Sequence, residues 1–223
     1  MADLTIRPLT AEQWPALEDL FGKAGASNGC WCMYWRIGPR YRSRPPAENK
    51  QDLARLAAAG SAGAAGAGGT AAAGSAAEAD GAAGSAGRAA GSGGTAPGLL
   101  AFDGDVAVGW CELAPRADLG WLARTRYLQP PDDLPVWSVP CFYVRRTHRG
   151  RGVTDALITA AISAAAAAGA PALEAYPVDM AIPGHTGNLF PGIASTFARH
   201  GFAEVARHKP DRPVMRRTLA ASG

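Results

Sequence analysis

The chain has 223 residues, 28 of them Gly, a net charge of +3 and 48% hydrophobic residues, but 31 of the 41 positions in 58–98 are Ala or Gly. The other 182 residues hold all six Trp, five Tyr and six Phe, with 21 basic and 17 acidic side chains spread along the chain. That balance excludes a membrane, fibrous or fully disordered protein and a nucleic-acid-type basic excess, and leaves enough chain for one domain with a sizeable core.

The first predicted element is a strand over Leu4 to Leu9, followed by Thr10 and Gln13 in capping-box spacing. Trp14, Leu17, Leu20 and Phe21 then recur at helical spacing up to Gly22. After the aromatic segment Cys30 to Arg36, a second helix is expected from about Pro46 to Ala57. Residues 58–98 lack any aromatic or branched aliphatic side chain. They cannot repay the entropy of ordering against a core and read as a disordered insertion in a single domain spanning 1–223. Leu99 to Phe102 and Val106 to Leu113 flank Asp103-Gly104-Asp105, a hairpin signal. A loop over Ala114 to Leu134 leads to the most apolar strand, Val136 to Val144. A helix over Val153 to Ala168, a strand over Ala172 to Val178, a short helix over Ala194 to His200 and strands at Glu204 to Arg207 and Pro213 to Leu219 complete the order. Alternation of strands and helices in that order is a mixed α/β, or α+β, domain.

The segment Val139 to Leu157 carries the chemistry. A buried strand runs into a turn with Gly150 and Gly152 and opens a helix. The first amides of a helix have no intrahelical partner, the helix dipole adds positive character, and glycines let the backbone approach closely, so such a turn binds phosphate. A dinucleotide site would want Gly at the third fingerprint position, where Asp155 stands, and no Walker lysine is present.

Arg149-Gly150-Arg151-Gly152-Val153-Thr154 resembles the GNAT acyltransferase superfamily signature, with Thr154 replacing its final small residue. The element order from residue 4 to residue 219 and the closing Gly201-Phe202 unit are similar to the same family. The resemblance implies a central, mostly antiparallel twisted sheet of six to seven strands, splayed at the fourth and flanked by about four helices. It implies that acetyl-CoA lies along the backbone of Phe142, Tyr143 and Val144, with its pyrophosphate on the amides of Arg149, Gly150, Arg151, Gly152, Val153 and Thr154. It also implies direct attack of a primary amine on the thioester. The family's thiolate donor is a Tyr four residues before the closing Gly, where this chain has Phe197; Tyr176 is the substitute candidate. Glu112 and Glu174 are candidate bases, although on an open strand either would be a solvated carboxylate. Trp31, Tyr34 and Trp35 are core side chains or, as the resemblance implies, the wall of the acceptor site. His185 and Asn188 lie in a loop that could reach it.

The remaining expectations are negative or general. Cys30 and Cys32 lack a second close ligand pair for zinc, so no metal is expected. The N-terminal Met-Ala-Asp-Leu-Thr-Ile-Arg has no apolar run of a signal peptide, and four cysteines give no disulfide framework, which reads as cytoplasmic. The expected partner is a small-molecule amine, with no nucleic acid and no membrane, for a monomer or homodimer. A protein lysine or N-terminal acceptor, a CoA-binding module without catalysis and nicotinamide-dinucleotide binding are the alternatives. The 19 Arg against 3 Lys, beside so much Ala and Gly, read as a GC-rich coding sequence.

Overall fold

The structure, a computed structural model, describes residues 4–66, 94–183 and 188–220. Most of the expected insertion and His185 therefore lie outside the described residues. Seven strands form one sheet: β1 (Leu4–Pro8), β2 (Gly98–Asp103), β3 (Val106–Pro115), β4 (Trp137–Val144), β5 (Ala172–Ala175), β6 (Ala203–Lys209) and β7 (Arg212–Thr218). Their spatial order is β1-β2-β3-β4-β5-β7-β6, antiparallel except for β4 beside β5. The helices are α1 (Trp14–Phe21), α2 (Tyr34–Ile37), α3 (Pro46–Gly66), α4 (Val153–Ala167) and α5 (Ala194–Arg199).

Alternation along the strands divides the core between the two faces. Leu99, Ala101, Cys111, Val139 and Phe142 face α4, which lays Val153, Leu157, Ile158, Ala161 and Ala165 against them. Leu100, Phe102, Trp110 and Tyr143 face the opposite side, against Leu17, Phe21, Trp31 and Leu53. The hydroxyls of Thr159 and Ser163, which interrupt the Ala-rich run of α4, donate to the carbonyls of Asp155 and Thr159 one turn back, so neither polar group breaks the helix. Gly109 lets α4 sit close on β3: a Cβ there would fall 2.4 Å from Val153 Cγ1.

Four expectations shift. Thr10 caps no helix through its side chain: its carbonyl accepts Gln13 N–H in a turn, and α1 starts at Trp14 with Gln13 as a backbone cap. Pro15, lacking an N–H, suits that first turn. Helix α3 does not end at Ala57 but runs to Gly66 into the Ala/Gly stretch, because extending a nucleated helix through Ala costs little. The aromatic segment contains the unpredicted α2, stopped by Gly38 at φ +68°, where a Cβ would strike Trp121. Strand β5 stops at Ala175 rather than Val178, since Pro177 cannot donate to a ladder, and Val178 instead bridges Ile193.

Gly60 on α3 packs on the backbone of Ala96, a Cβ at Gly60 lying 2.8 Å from Ala96 Cα. Residues 60 and 96 thus lie side by side. Replacing residues 61–95 with a Gly-Ser link is expected to leave a soluble protein whose thermal midpoint stays within about 4 °C and whose coenzyme A affinity is unchanged. Calorimetry and a binding titration check this; aggregation or lost binding would show that the segment supports the core.

Candidate active site

Strand β4 is paired with β3 along most of its length, from Trp137 to Val144, but with β5 only at Trp137↔Leu173 and Ser138↔Glu174. Beyond Ser138 the two parallel strands part, and a cavity of about 280 Å³ opens there. Cys141, Phe142 and Tyr143 form its floor, Tyr34, Trp35 and Tyr41 one wall, and Tyr127, Tyr176 and Phe190 the other. Tyr34 and Trp35 therefore line the cavity, whereas Trp31 does not. Trp31 is 5% exposed, stacked at 5.9 Å on Trp14 and packed on Phe21, because its left-handed backbone (φ +45°) turns the indole inward beneath Gly25. A Cβ at Gly25 would lie 2.3 Å from Trp31 Nε1. Ala26, Asn28, Trp31 and Cys32 all have positive φ, a conformation bulky residues rarely adopt, and strain of this kind gathers where a backbone is shaped for a ligand.

Directly after Val144, Arg145 leaves the sheet and residues 146–148 form one 3-10 turn before α4. Gly150 (φ +72°) and Gly152 (φ +82°) turn the chain into the helix, and a Cβ on either would meet nothing within 4 Å. That open space lies in front of the unpaired first amides of a 15-residue helix. Arg149 donates through Nε to Val144 O at 3.2 Å, Arg151 is exposed, Val153 is buried, and Thr154 is half-buried. Asp155, the residue out of place for a dinucleotide, is tied to His200 (3.0 Å) and Arg199 (3.2 Å) of the α5 end. The turn thus presents open space in front of the α4 amides. The edge of β4 carries a contact that the sequence did not announce: Phe142 N–H donates to Phe190 O at 2.6 Å. The backbone edge of β4 is occupied by the 188–192 segment at that residue, and by strand period Val144 presents its N–H and C=O on the same side.

The two candidate bases are not solvated carboxylates. Glu112 is 1% exposed and lies beside Cys141 in register. Arg36 Nε approaches it at 3.3 Å, yet neither carboxylate oxygen has a hydrogen bond within the protein. Burial, opposed by the Arg36 charge, raises its pKa to about 7. Glu174, fully buried, is held instead by Arg216 at 2.7 Å and Arg116 at 3.4 Å, so it is a structural anion. Tyr176 donates its hydroxyl to Glu174 Oε2 (2.8 Å), receives Arg116 (2.6 Å) and pairs with Ser138 (2.8 Å). Burial pushes its pKa up. Phe197, in the place of the expected donor, is wholly buried between Phe142 and Phe202. Burial also raises the Cys30 thiol, to about 12, while the Cys32 thiol is raised first by its hydrogen bond with Cys141 and then by burial. Among the described residues no three His, Cys, Asp or Glu side chains converge on a point that could hold a metal ion.

Residues 86–181 match the Acetyltransferase (GNAT) family model. Among solved structures, "the crystal structure of acetyltransferase" superposes with a TM-score of 0.52 at 16% identity, over 97% of this chain and 100% of its own. The PaiA N-acetyltransferase of Thermoplasma acidophilum in complex with coenzyme A gives 0.50 at 12% identity, over 97% and 99%. The "histone acetyltransferase HPA2 and related acetyltransferase" from Corynebacterium glutamicum gives 0.50 at 16%, over 99% and 98%. The chain has the GNAT fold. No curated protein matches it. Within that GNAT frame, the opening lies over Cys141 to Tyr143, and the glycine turn ahead of α4 follows directly from the end of the same strand. Arg36 and Arg116 were missed by sequence reasoning; only the place of Arg36 at the end of the aromatic segment could have drawn attention to it. No helix among the described residues is long and apolar enough to cross a membrane.

Proposed function

We propose that the protein is an N-acyltransferase that moves an acetyl group from acetyl-CoA to the primary amine of a small molecule in a ternary complex. One observation carries this reading: the parting of β4 from β5 beyond Ser138, which opens a cavity on the strand that ends at the glycine turn. The coenzyme A bound to the Thermoplasma relative supports the choice of donor. A volume of about 280 Å³ with ring-bearing lining suits a small acceptor.

In this reading the amides of Arg149 to Thr154 bind the pyrophosphate, Arg149 and Arg151 add charge, and Phe142 to Val144 align the pantetheine once Phe190 O has given up Phe142 N–H. Glu112, one residue behind the cavity wall, takes a proton from the amine through water as the C–N bond forms. The C–S bond breaks, and the leaving thiolate is protonated by Tyr176, whose proton leaves Glu174 Oε2 for sulfur. Arg116, donating to the same phenolic oxygen, steadies the tyrosinate so formed. A base with a pKa near working pH is the efficient choice for such a transfer.

Thiol release from acetyl-CoA across a panel of primary amines tests the reading. Coenzyme A binding without release across the panel would favour a binding module, the alternative that Phe197 and the occupied Phe142 amide support. Tyr176→Phe is expected to lower kcat about 10²-fold, the ordinary yield of one general acid, with acetyl-CoA affinity retained. Unchanged kcat would remove Tyr176 from the chemistry.

A further inference from the structure

Among the described residues, the charged side chains that line the cavity are of one sign. Arg42 and Arg212 line it, Asn28 and Asn188 add neutral polar groups, and no described Asp or Glu stands among the lining residues. The two arginines arrive from unrelated places, one just after α2 and one at the start of β7, so their convergence is a product of the fold. Arg42 is braced on the cavity wall: its Nε donates to Tyr41 Oη at 2.8 Å and its guanidinium lies over the Tyr41 ring at 5.3 Å. Among the described residues it has no carboxylate partner, so the terminal nitrogens of a pre-oriented fork remain for a ligand. Arg212 is only loosely matched, its Nε 3.8 Å from Asp211. Most arginines in the charged network of this protein are better satisfied, as Arg216 is by Asp132 and Glu174 at 2.7 Å. A planar fork with free donors is suited to a carboxylate.

We infer that the acceptor is a ring-bearing amine that also carries a carboxylate, held by Arg42 and Arg212 while its ring lies against Tyr34, Trp35 and Tyr127. This rests on the acyltransferase reading for the fate of the amine, but the anion site stands on its own geometry. The volume of about 280 Å³ limits the acceptor to about one ring system. The carboxylate at the mouth orients the amine inward, toward Cys141 and the Glu112 behind it. The two cations also lower the pKa of any neighbouring ammonium, which helps to supply the neutral amine that attack requires.

The test uses acceptor pairs that differ by one carboxylate: phenylalanine and phenethylamine, tyrosine and tyramine, 4-(aminomethyl)benzoate and benzylamine. Thiol release is read as kcat/KM at fixed acetyl-CoA, and binding is read separately by quenching of tryptophan fluorescence. The carboxylate member of at least one pair is expected to be preferred by about tenfold or more, the ordinary worth of a charge-assisted contact. Arg42→Gln and Arg212→Gln should each raise KM or Kd for that member about tenfold, leave its uncharged partner unchanged, and leave the KM for acetyl-CoA unchanged. Equal or better use of the uncharged amines, with thiol released, would overturn the anion site and keep the acyltransferase. Saturable, Arg42-dependent binding of the carboxylates without any thiol release would do the reverse. No binding of any carboxylate by either readout also overturns the inference.

Discussion

Glu112→Gln is expected to lower kcat/KM by about 10²- to 10⁴-fold, the range for losing a positioned general base, while acetyl-CoA affinity is retained. The wild-type rate should rise with pH through about 7, where the buried carboxyl ionises, and the variant should lack that limb. Stability gives an independent reading. Because burial raises this carboxyl above its ordinary 4.5, the folded state keeps a proton that the unfolded chain releases. Its stabilising contribution is complete below about 4.5, falls as pH rises toward 7, and is constant above that. Urea midpoints of the two proteins, compared across pH, isolate this slope, since the other carboxylates cancel in the difference. A wild-type pH limb that persists in Glu112→Gln would assign the proton transfer to another group.

Gly152→Trp is expected to weaken coenzyme A binding by more than about 100-fold without unfolding the protein, a loss in keeping with several charge-assisted amide contacts. A Cβ at this position enters the open space before the α4 amides and meets no atom within 4 Å. The substitution also forces a non-glycine residue to φ +82°, at a cost of about 1–2 kcal/mol. Gly169→Trp is the matched control. It carries the same kind of strain (φ +74°) and equally open surroundings at the far end of the same helix. Both variants should lose similar thermal stability, measured by calorimetry, while only Gly152→Trp loses binding by titration. Equal binding in the two would sink the phosphate-turn assignment.

Much of the architecture was legible in the residues because local pattern and tertiary demand agree. The hairpin around Asp103-Gly104-Asp105, the apolar β4 and the Ala-rich α4 each occur within a residue or two of where spacing places them. The glycine turn was legible for a similar reason: Gly150 and Gly152 use a left-handed backbone that other residues avoid. Side-chain destinations were less so. Trp31 and Trp35 look alike in the chain, yet one is core and the other lines the cavity, because a left-handed turn at Trp31 and Cys32 separates them. The excess of Arg, read as a matter of base composition, includes Arg36, Arg116 and Arg216, whose side chains are about one-tenth exposed and pair with Glu112 or Glu174.

By itself the sequence determined the α+β class, the apolar strand β4, the glycine turn at residues 149–154 ahead of α4 and the absence of a Tyr at position 197. Each follows from periodicity, glycine placement or the identity of a single residue, all of which are local. Only the tertiary structure decided that Glu112 is a buried, unbonded carboxyl while Glu174 is locked between two arginines, and that Phe190 holds the amide of Phe142. It alone brought Arg42 and Arg212 to one cavity mouth. Those outcomes depend on strands and loops distant in sequence meeting across the parting of β4 and β5, where burial sets the charge state of a side chain and no local pattern records it.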